Sequence, residues 1–176
     1  MSARTVLSES DIDRTLRRIA HEIIEAVPLS SELVILGIPT RGALLAQRLA
    51  LLITGITSEE VAWGSIDVTL YRDDLATGGH RTPAPTQLPP GGIDGKVVVL
   101  VDDVLYSGRT VRAALDAMTA LGRPRIVKLA VLIDRGHREL PIRADHVGKN
   151  LPSSHGERVT VSLRESDGHD TVQVVS

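Results

Sequence analysis

The stretch Val98-Val99-Leu100-Val101-Asp102-Asp103-Val104-Leu105-Tyr106-Ser107-Gly108-Arg109-Thr110 decides how the rest of the chain is read. Its leading apolar residues predict a buried strand, and two adjacent carboxylates stand where that strand runs out. A short loop rich in donors follows, and Val111 to Leu121 predicts a helix. In an open α/β sheet, ligands bind just outside the carboxyl ends of the strands. A loop feeding a helix N-terminus offers backbone N–H groups and a positive dipole end to an anion. Ser107 and Thr110 add hydroxyls, and Gly108 permits close backbone approach. A strand ending in Asp-Asp before a helix is also the form of an ordinary N-cap with a spare surface acid. The whole ordered pattern favours a phosphate cradle beside two acids able to hold sugar hydroxyls or a metal-bound ligand.

Outward from this segment the chain alternates. Ser8 with Asp11 has the form of a capping box, and Ile12, Leu16, Ile19, Ile23 and Val27 follow at helical spacing, ahead of Pro28. Leu33 to Leu36 reads as a buried strand, Gly37 to Gly42 as a tight loop, and Ala43 to Ile53 as a helix. Ile66 to Tyr71 alternates like a strand. From Arg72 to Gly95 the chain is dense in Gly, Pro, Asp and Thr, which predicts a long loop of the kind that serves as a lid or stays disordered. With the signature strand, its helix and a strand over Ile126 to Ile133, the order predicts a parallel sheet flanked by helices, an α/β, Rossmann-like fold. Beyond Asp134 the reading is irregular, with short strands at Arg158 to Leu163 and Thr171 to Val175.

Bulk properties narrow the class. At 176 residues the chain reads as a single domain, 1–176, with a core of Val, Ile, Leu and Ala, since Phe is absent and aromatics total 2%. It has no cysteine, which excludes disulfides and thiolate metal sites and fits a reducing compartment. Met1 to Ser10 lacks the apolar stretch of a signal peptide, and no apolar run approaches a bilayer span. A net charge of −2 gives no global attraction for nucleic acid. His80, His137, His146, His155 and His169 stand in irregular segments without metal-ligand spacing, so a transition-metal site is not expected.

A second loop carries chemistry. Gly37-Ile38-Pro39-Thr40-Arg41-Gly42 combines two glycines, a hydroxyl and a guanidinium fork, which suits a pyrophosphate group as well as it suits an ordinary strand-to-helix turn.

The Val98–Thr110 segment resembles the phosphoribosyl-diphosphate (PRPP) signature of type I phosphoribosyltransferases. The resemblance implies that Asp102 and Asp103 bind the ribose hydroxyls. Val104, Leu105, Tyr106, Ser107, Gly108, Arg109 and Thr110 would then wrap the 5′-phosphate. It implies that Thr40 and Arg41 hold pyrophosphate, that a lid over about 72–95 closes on the diphosphate through Arg72, Asp73 and Arg81, and that a small hood built from N- and C-terminal segments covers the base. Mg²⁺ would enter bound to the substrate. On charge grounds, Asp102 and Asp103 would favour the cationic sugar ring while Arg41 and Arg72 stabilise the departing pyrophosphate. The sequence offers no convincing general base; a pyrimidine imide nitrogen is acidic enough for Asp103 or solvent to suffice.

Three segments resemble one member group more closely: Arg18-Ile19-Ala20-His21-Glu22, Asp67 to Leu75, and Val131 to Asn150. That group comprises bifunctional pyrimidine-operon regulators, which bind RNA and have uracil phosphoribosyltransferase activity. The likeness implies uracil plus PRPP giving UMP and pyrophosphate, with Arg135 and Val159 at the base. It also implies uridine-nucleotide-promoted (UMP or UTP) binding of leader mRNA through His21, Arg138, Arg143 and Lys149. A cytoplasmic homodimer or larger homo-oligomer is expected. Residues 134–149 carry four Lys/Arg against three acids, so a solvated mixed-charge loop would look the same. A transferase for another base, or a nucleotide-sensing RNA binder with little turnover, also fits the sequence.

Overall fold

The computed structural model describes residues 2–27, 32–74 and 82–176. Its centre is a five-stranded sheet of order β3-β2-β4-β5-β6, formed by β2 (Leu33–Gly37), β3 (Ala62–Ser65), β4 (Val97–Leu105), β5 (Ile126–Asp134) and β6 (His146–Asn150). Every neighbouring pair is parallel. Val97 to Val101 are buried on both faces of the central strand, as the unbroken apolar run requires. One face packs on α1 (Glu9–Ala26) and α2 (Arg41–Thr57) through Leu16, Ile19, Ile23, Leu45, Leu49 and Ile53. The other packs on α3 (Arg109–Thr119) through Val111, Ala114 and Met118. The capping box is formed: Asp11 N–H donates to Ser8 Oγ, and Ser8 N–H to Asp11 Oδ2.

A second, antiparallel sheet of order β1-β8-β7 joins β1 (Ala3–Leu7) to β7 (Arg158–Ser162) and β8 (Thr171–Val175), with the short helix α4 (Arg164–Asp167) between the last two. Arg48 of α2 fastens this hood. Its guanidinium donates to both oxygens of Asp170, whose side chain is fully buried, and to both oxygens of Glu165. The pairing raises the Arg48 pKa and lowers those of Asp170 and Glu165.

Several elements differ from the sequence reading. The signature strand does not stop at Val101 but stays paired with β5 through Leu105, so both acids belong to the strand. Ile66 to Tyr71 is not a strand: β3 precedes it, and Thr69–Tyr71 forms a 3₁₀ turn. The cause is Asp67, whose Oδ1 accepts from Thr69 N–H at 3.1 Å and Thr69 Oγ1 at 2.7 Å, drawing the backbone out of the ladder. Ile66 and Val68 are buried, so the alternation is real but serves a turn. The later described part of the long loop, 82–95, is tied back to β3 by paired bonds between Ser65 and Gln87. β6 escaped notice because Val147 is its one aliphatic side chain, and β1 because only Val6 and Leu7 pack inward.

Candidate active site

Three chain segments meet above the carboxyl ends of β2 and β4 and line a cleft of about 510 Å³. The first is the turn from β2 into α2, which contributes Ile38, Pro39, Thr40 and Arg41. Its tightness follows from glycine: a Cβ on Gly37 would meet Gly42 O at 2.2 Å, and one on Gly42 would meet Val101 O at 2.6 Å. The turn therefore lies directly against β4, and the Pro39–Thr40 peptide is cis. The second segment supplies Asp67, Val68, Thr69 and Arg72, with Thr82 and Ala84 beyond. The third supplies Asp102, Asp103 and Val104, and Thr110 from the start of α3.

The paired acids are oriented by the backbone. Asp102 Oδ1 accepts Asp103 N–H at 2.9 Å, and Asp103 Oδ1 accepts Val104 N–H at 2.8 Å. Asp102 is buried and Asp103 half-buried. Past them the chain turns at Gly108, whose φ of +93° suits glycine, and whose α-carbon faces Leu140 and Ile142 closely. Ser107 Oγ accepts Arg109 N–H, while the N–H groups of Gly108 and Thr110 have no acceptor among the described residues. They open an eleven-residue helix, so free donors and the helix dipole point to the same spot. The loop after β5 supports this turn: Ser107 O accepts from Glu139 and Leu140 N–H, and Tyr106 O from Arg138.

Both cleft arginines carry a carboxylate on the same edge. Arg72 donates from Nε and Nη2 to Asp74 at 2.8 and 2.6 Å, and from Nη1 to Thr110 Oγ1 at 3.1 Å. Arg41 donates from Nη2 and Nε to Asp167 of the hood at 2.8 and 3.3 Å. The partnership with Asp74 raises the pKa of Arg72. Among the described residues, the lining side chains include two arginines against Asp67, Asp102 and Asp103.

The cleft thus unites Thr40, Arg41, Arg72, Asp102, Asp103, Val104 and Thr110 of the residues expected from sequence. Leu105 sends its side chain into the core, 1% exposed, and its carbonyl accepts Arg135 N–H. Asp73 pairs with Arg109 and Arg112, anchoring the segment after β3 to α3. Arg81 lies outside the described residues. Arg135 and Val159 are not among its lining residues; Arg135 lines a separate groove with His137, Arg138, Leu151 and Ser153. Arg135 makes no ion pair with Asp134 or Glu139. It is buried, with Nε on Ser153 Oγ, Nη2 on the Ser154 and Glu157 carbonyls, and its guanidinium 4.3 Å from the Tyr106 ring centroid. Val159 packs half-buried against the core.

Sequence reasoning missed Asp67 as a lining residue and Asp167 as the partner of Arg41. The first sits in a quoted segment, DVTLYRDD; the second leaves no local signal, because the pair spans 126 positions.

The basic set is divided. α1 rests on β6, with Arg18 donating to the Val147 and Gly148 carbonyls and Glu22 facing His146. This brings His21 onto an element neighbouring Lys149, both exposed, with Arg143 exposed just before β6. Arg138 differs: it donates to Ile142 O, Tyr106 O and Asp134 Oδ2, bracing the loop after β5.

Comparison with known proteins agrees with this architecture. Residues 3–163 match the phosphoribosyl transferase domain family. The chain is 61% identical over 170 residues to the Bifunctional protein PyrR of Streptomyces coelicolor, covering 97% of this chain and 88% of that protein. It is 55% identical over 179 residues to the Bifunctional protein PyrR of Mycobacterium tuberculosis, covering 98% and 93%. Among solved structures, a hypoxanthine-guanine phosphoribosyltransferase from Bacillus anthracis superposes with a TM-score of 0.72 over 98% of both chains at 19% identity. The hypoxanthine phosphoribosyltransferase of Trypanosoma cruzi gives 0.71 at 18% identity, covering 97% and 95%. The structural matches establish the fold, and the sequence matches place the chain in the phosphoribosyl transferase family, among the bifunctional PyrR proteins.

Proposed function

We propose that the cleft transfers the 5-phosphoribosyl group of Mg²⁺-bound PRPP to uracil, giving UMP and diphosphate, and that the protein also binds pyrimidine-operon leader mRNA when a uridine nucleotide occupies this site. One observation carries the catalytic reading: the Asp102–Asp103 pair runs within a single strand into the Gly108 turn, opposite Arg41 and Arg72.

The chemistry follows from charge. The anomeric C–O bond to diphosphate breaks and a C–N bond to uracil forms, while the uracil N–H proton passes to Asp103 or to water. Positive charge builds on the ribose beside two carboxylates, and negative charge on diphosphate beside two arginines. Because carboxylates outnumber arginines in the lining among the described residues, a divalent cation on the substrate supports diphosphate binding beside Asp67, Asp102 and Asp103. The free N–H groups at Gly108 and Thr110 suit the 5′-phosphate. Arg135, with Nε and Nη2 engaged and Nη1 unpartnered among the described residues, has a donor left for a base carbonyl.

For RNA, the exposed His21, Arg143 and Lys149 on adjoining elements support a phosphate-contacting face, with Arg138 shaping the loop beside it. No helix among the described residues is long and apolar enough to cross a membrane. The cytoplasm, where PRPP and nascent mRNA occur, is the proposed location. Leu70, Leu115 and Leu121 are exposed apolar groups that fit self-association into a homodimer or larger assembly. A screen of labelled bases with PRPP and Mg²⁺ tests the catalytic reading: uracil is the expected acceptor, and turnover only on another base contradicts it. Gel shifts on the operon leader, with and without UMP, test the second role.

A further inference from the structure

We infer that Asp167, on the hood, is a positioning residue for the diphosphate end of the reaction: it holds the Nε–Nη2 edge of Arg41 and leaves Nη1 for the ligand. This rests on the proposed transferase reading. Asp167 is itself fixed. Its Oδ2 accepts Leu163 N–H at 2.8 Å and the Ser166 hydroxyl at 2.8 Å, while Oδ1 takes Arg41 Nη2. The same bonds hold its carboxyl at about 2, so it stays ionised wherever the enzyme works. α4 is in turn clamped to α2 by Arg48 through Glu165 and Asp170. Arg41 therefore receives its partner from a rigid body rather than from a mobile side chain. Its Nη1 has no acceptor among the described residues, and its side chain lines the cleft.

Arg72 supports the interpretation by repetition. Asp74 takes its Nε–Nη2 edge, and Nη1 alone reaches Thr110 at the phosphate turn. An arginine held on one edge has already lost most of its rotamer freedom before the ligand arrives. A link from the diphosphate turn to the hood also makes the two halves of the site share one ion pair.

The opposite expectation is simple repulsion. A carboxylate beside a polyanion site weakens binding, so its removal should strengthen it. The sign of the change separates the two. With Asp167→Asn, positioning raises the KM for PRPP by about tenfold and leaves the KM for uracil nearly unchanged. Ser166→Ala loosens Asp167 without touching Arg41, and its KM for PRPP rises less than that of Asp167→Asn. The double variant Arg41→Gln/Asp167→Asn matches Arg41→Gln alone, because Asp167 acts through Arg41.

A lowered or unchanged KM for PRPP in Asp167→Asn overturns the inference. So does an equal shift in Ser166→Ala, or additivity in the double variant. Should Asp167→Asn fail to fold, Asp167→Glu keeps the charge and displaces it by one methylene. A raised KM for PRPP then supports positioning, and an unchanged one overturns it. Failure of the wild-type protein to bind Mg²⁺–PRPP is a different result, which removes the transferase reading itself and this inference with it.

Discussion

Arg72 Nη1 donates to the Thr110 hydroxyl at 3.1 Å, joining the segment after β3 to the first turn of α3. The bond places a guanidinium between Asp74 and the N-terminal turn of α3. Arg72→Gln removes that charge from a half-buried position while Asp74 stays solvated. Steady-state kinetics should show kcat/KM for PRPP reduced about 10²-fold with the melting temperature little changed. A wild-type rate would remove Arg72 from the reaction.

Asp103 is the more accessible of the paired acids, and Asp102 the buried one. Asp103→Asn keeps the bond to Val104 N–H but removes charge facing the sugar, so turnover should fall about 10²-fold without loss of stability. Circular dichroism melts alongside the kinetics check both halves of that statement.

Gly42 is a packing requirement. A methyl there points at Val101 O, 2.6 Å away, in backbone that has nowhere to move. Gly42→Ala should lower unfolding free energy by about 2 kcal/mol in urea titrations and impair PRPP binding, since the same shift displaces Arg41.

The hood should be the acid-labile part. Asp167, Asp170 and Glu165 all have folded-state pKa values lowered by Arg41, Arg48 and backbone donors, Asp167 to about 2. Depressed carboxylate pKa values confer stability that is fully present above the unfolded values, near about 4, and is lost as pH falls through the folded ones. Stability should therefore decline between about pH 4 and pH 2. Arg48→Met leaves the buried Asp170 carboxylate with Arg164 alone, its N–H at 2.6 Å and its guanidinium at 3.6 Å, which costs roughly 3 kcal/mol near neutral pH and flattens the acid transition. An unaltered acid profile would show that Arg48 does not set it.

If the α1–β6 face holds RNA, Arg143→Ala and Lys149→Ala should each weaken leader binding for all sequences tested and reduce the salt slope by about 1. Uracil transfer should be unaffected, as neither residue lines the cleft. Unchanged RNA affinity in both would place the RNA elsewhere.

How much of this was legible depends on the range of the interaction. The β4–turn–α3 unit is contiguous, so its apolar run, paired acids and glycine state it outright. β2 and the turn at Gly37–Gly42 were readable for the same reason, though the approach of Gly42 to Val101 is set by the fold and leaves no mark in the sequence. Ile66 to Tyr71 misled because burial of Ile66 and Val68 gives a strand's alternation, whereas Asp67 competes for the backbone. The edge strands β1 and β6 carry too few apolar residues to announce themselves. Arg138 and Arg135 read as ligand-facing cations, yet Arg138 directs its donors to Ile142 O, Tyr106 O and Asp134, and Arg135 to Ser153 Oγ and the Ser154 and Glu157 carbonyls, a fate set by chain return rather than by residue type. Asp167 could not be paired with Arg41 from sequence at all.

The most direct measurement is calorimetric titration of PRPP, with and without Mg²⁺, into the wild type and an Asp102→Asn/Asp103→Asn variant. Saturable Mg²⁺-dependent binding to the wild type, weakened at least tenfold in the variant, is the predicted outcome. Equal affinity in both proteins, or no binding to either, would contradict the assignment of this cleft.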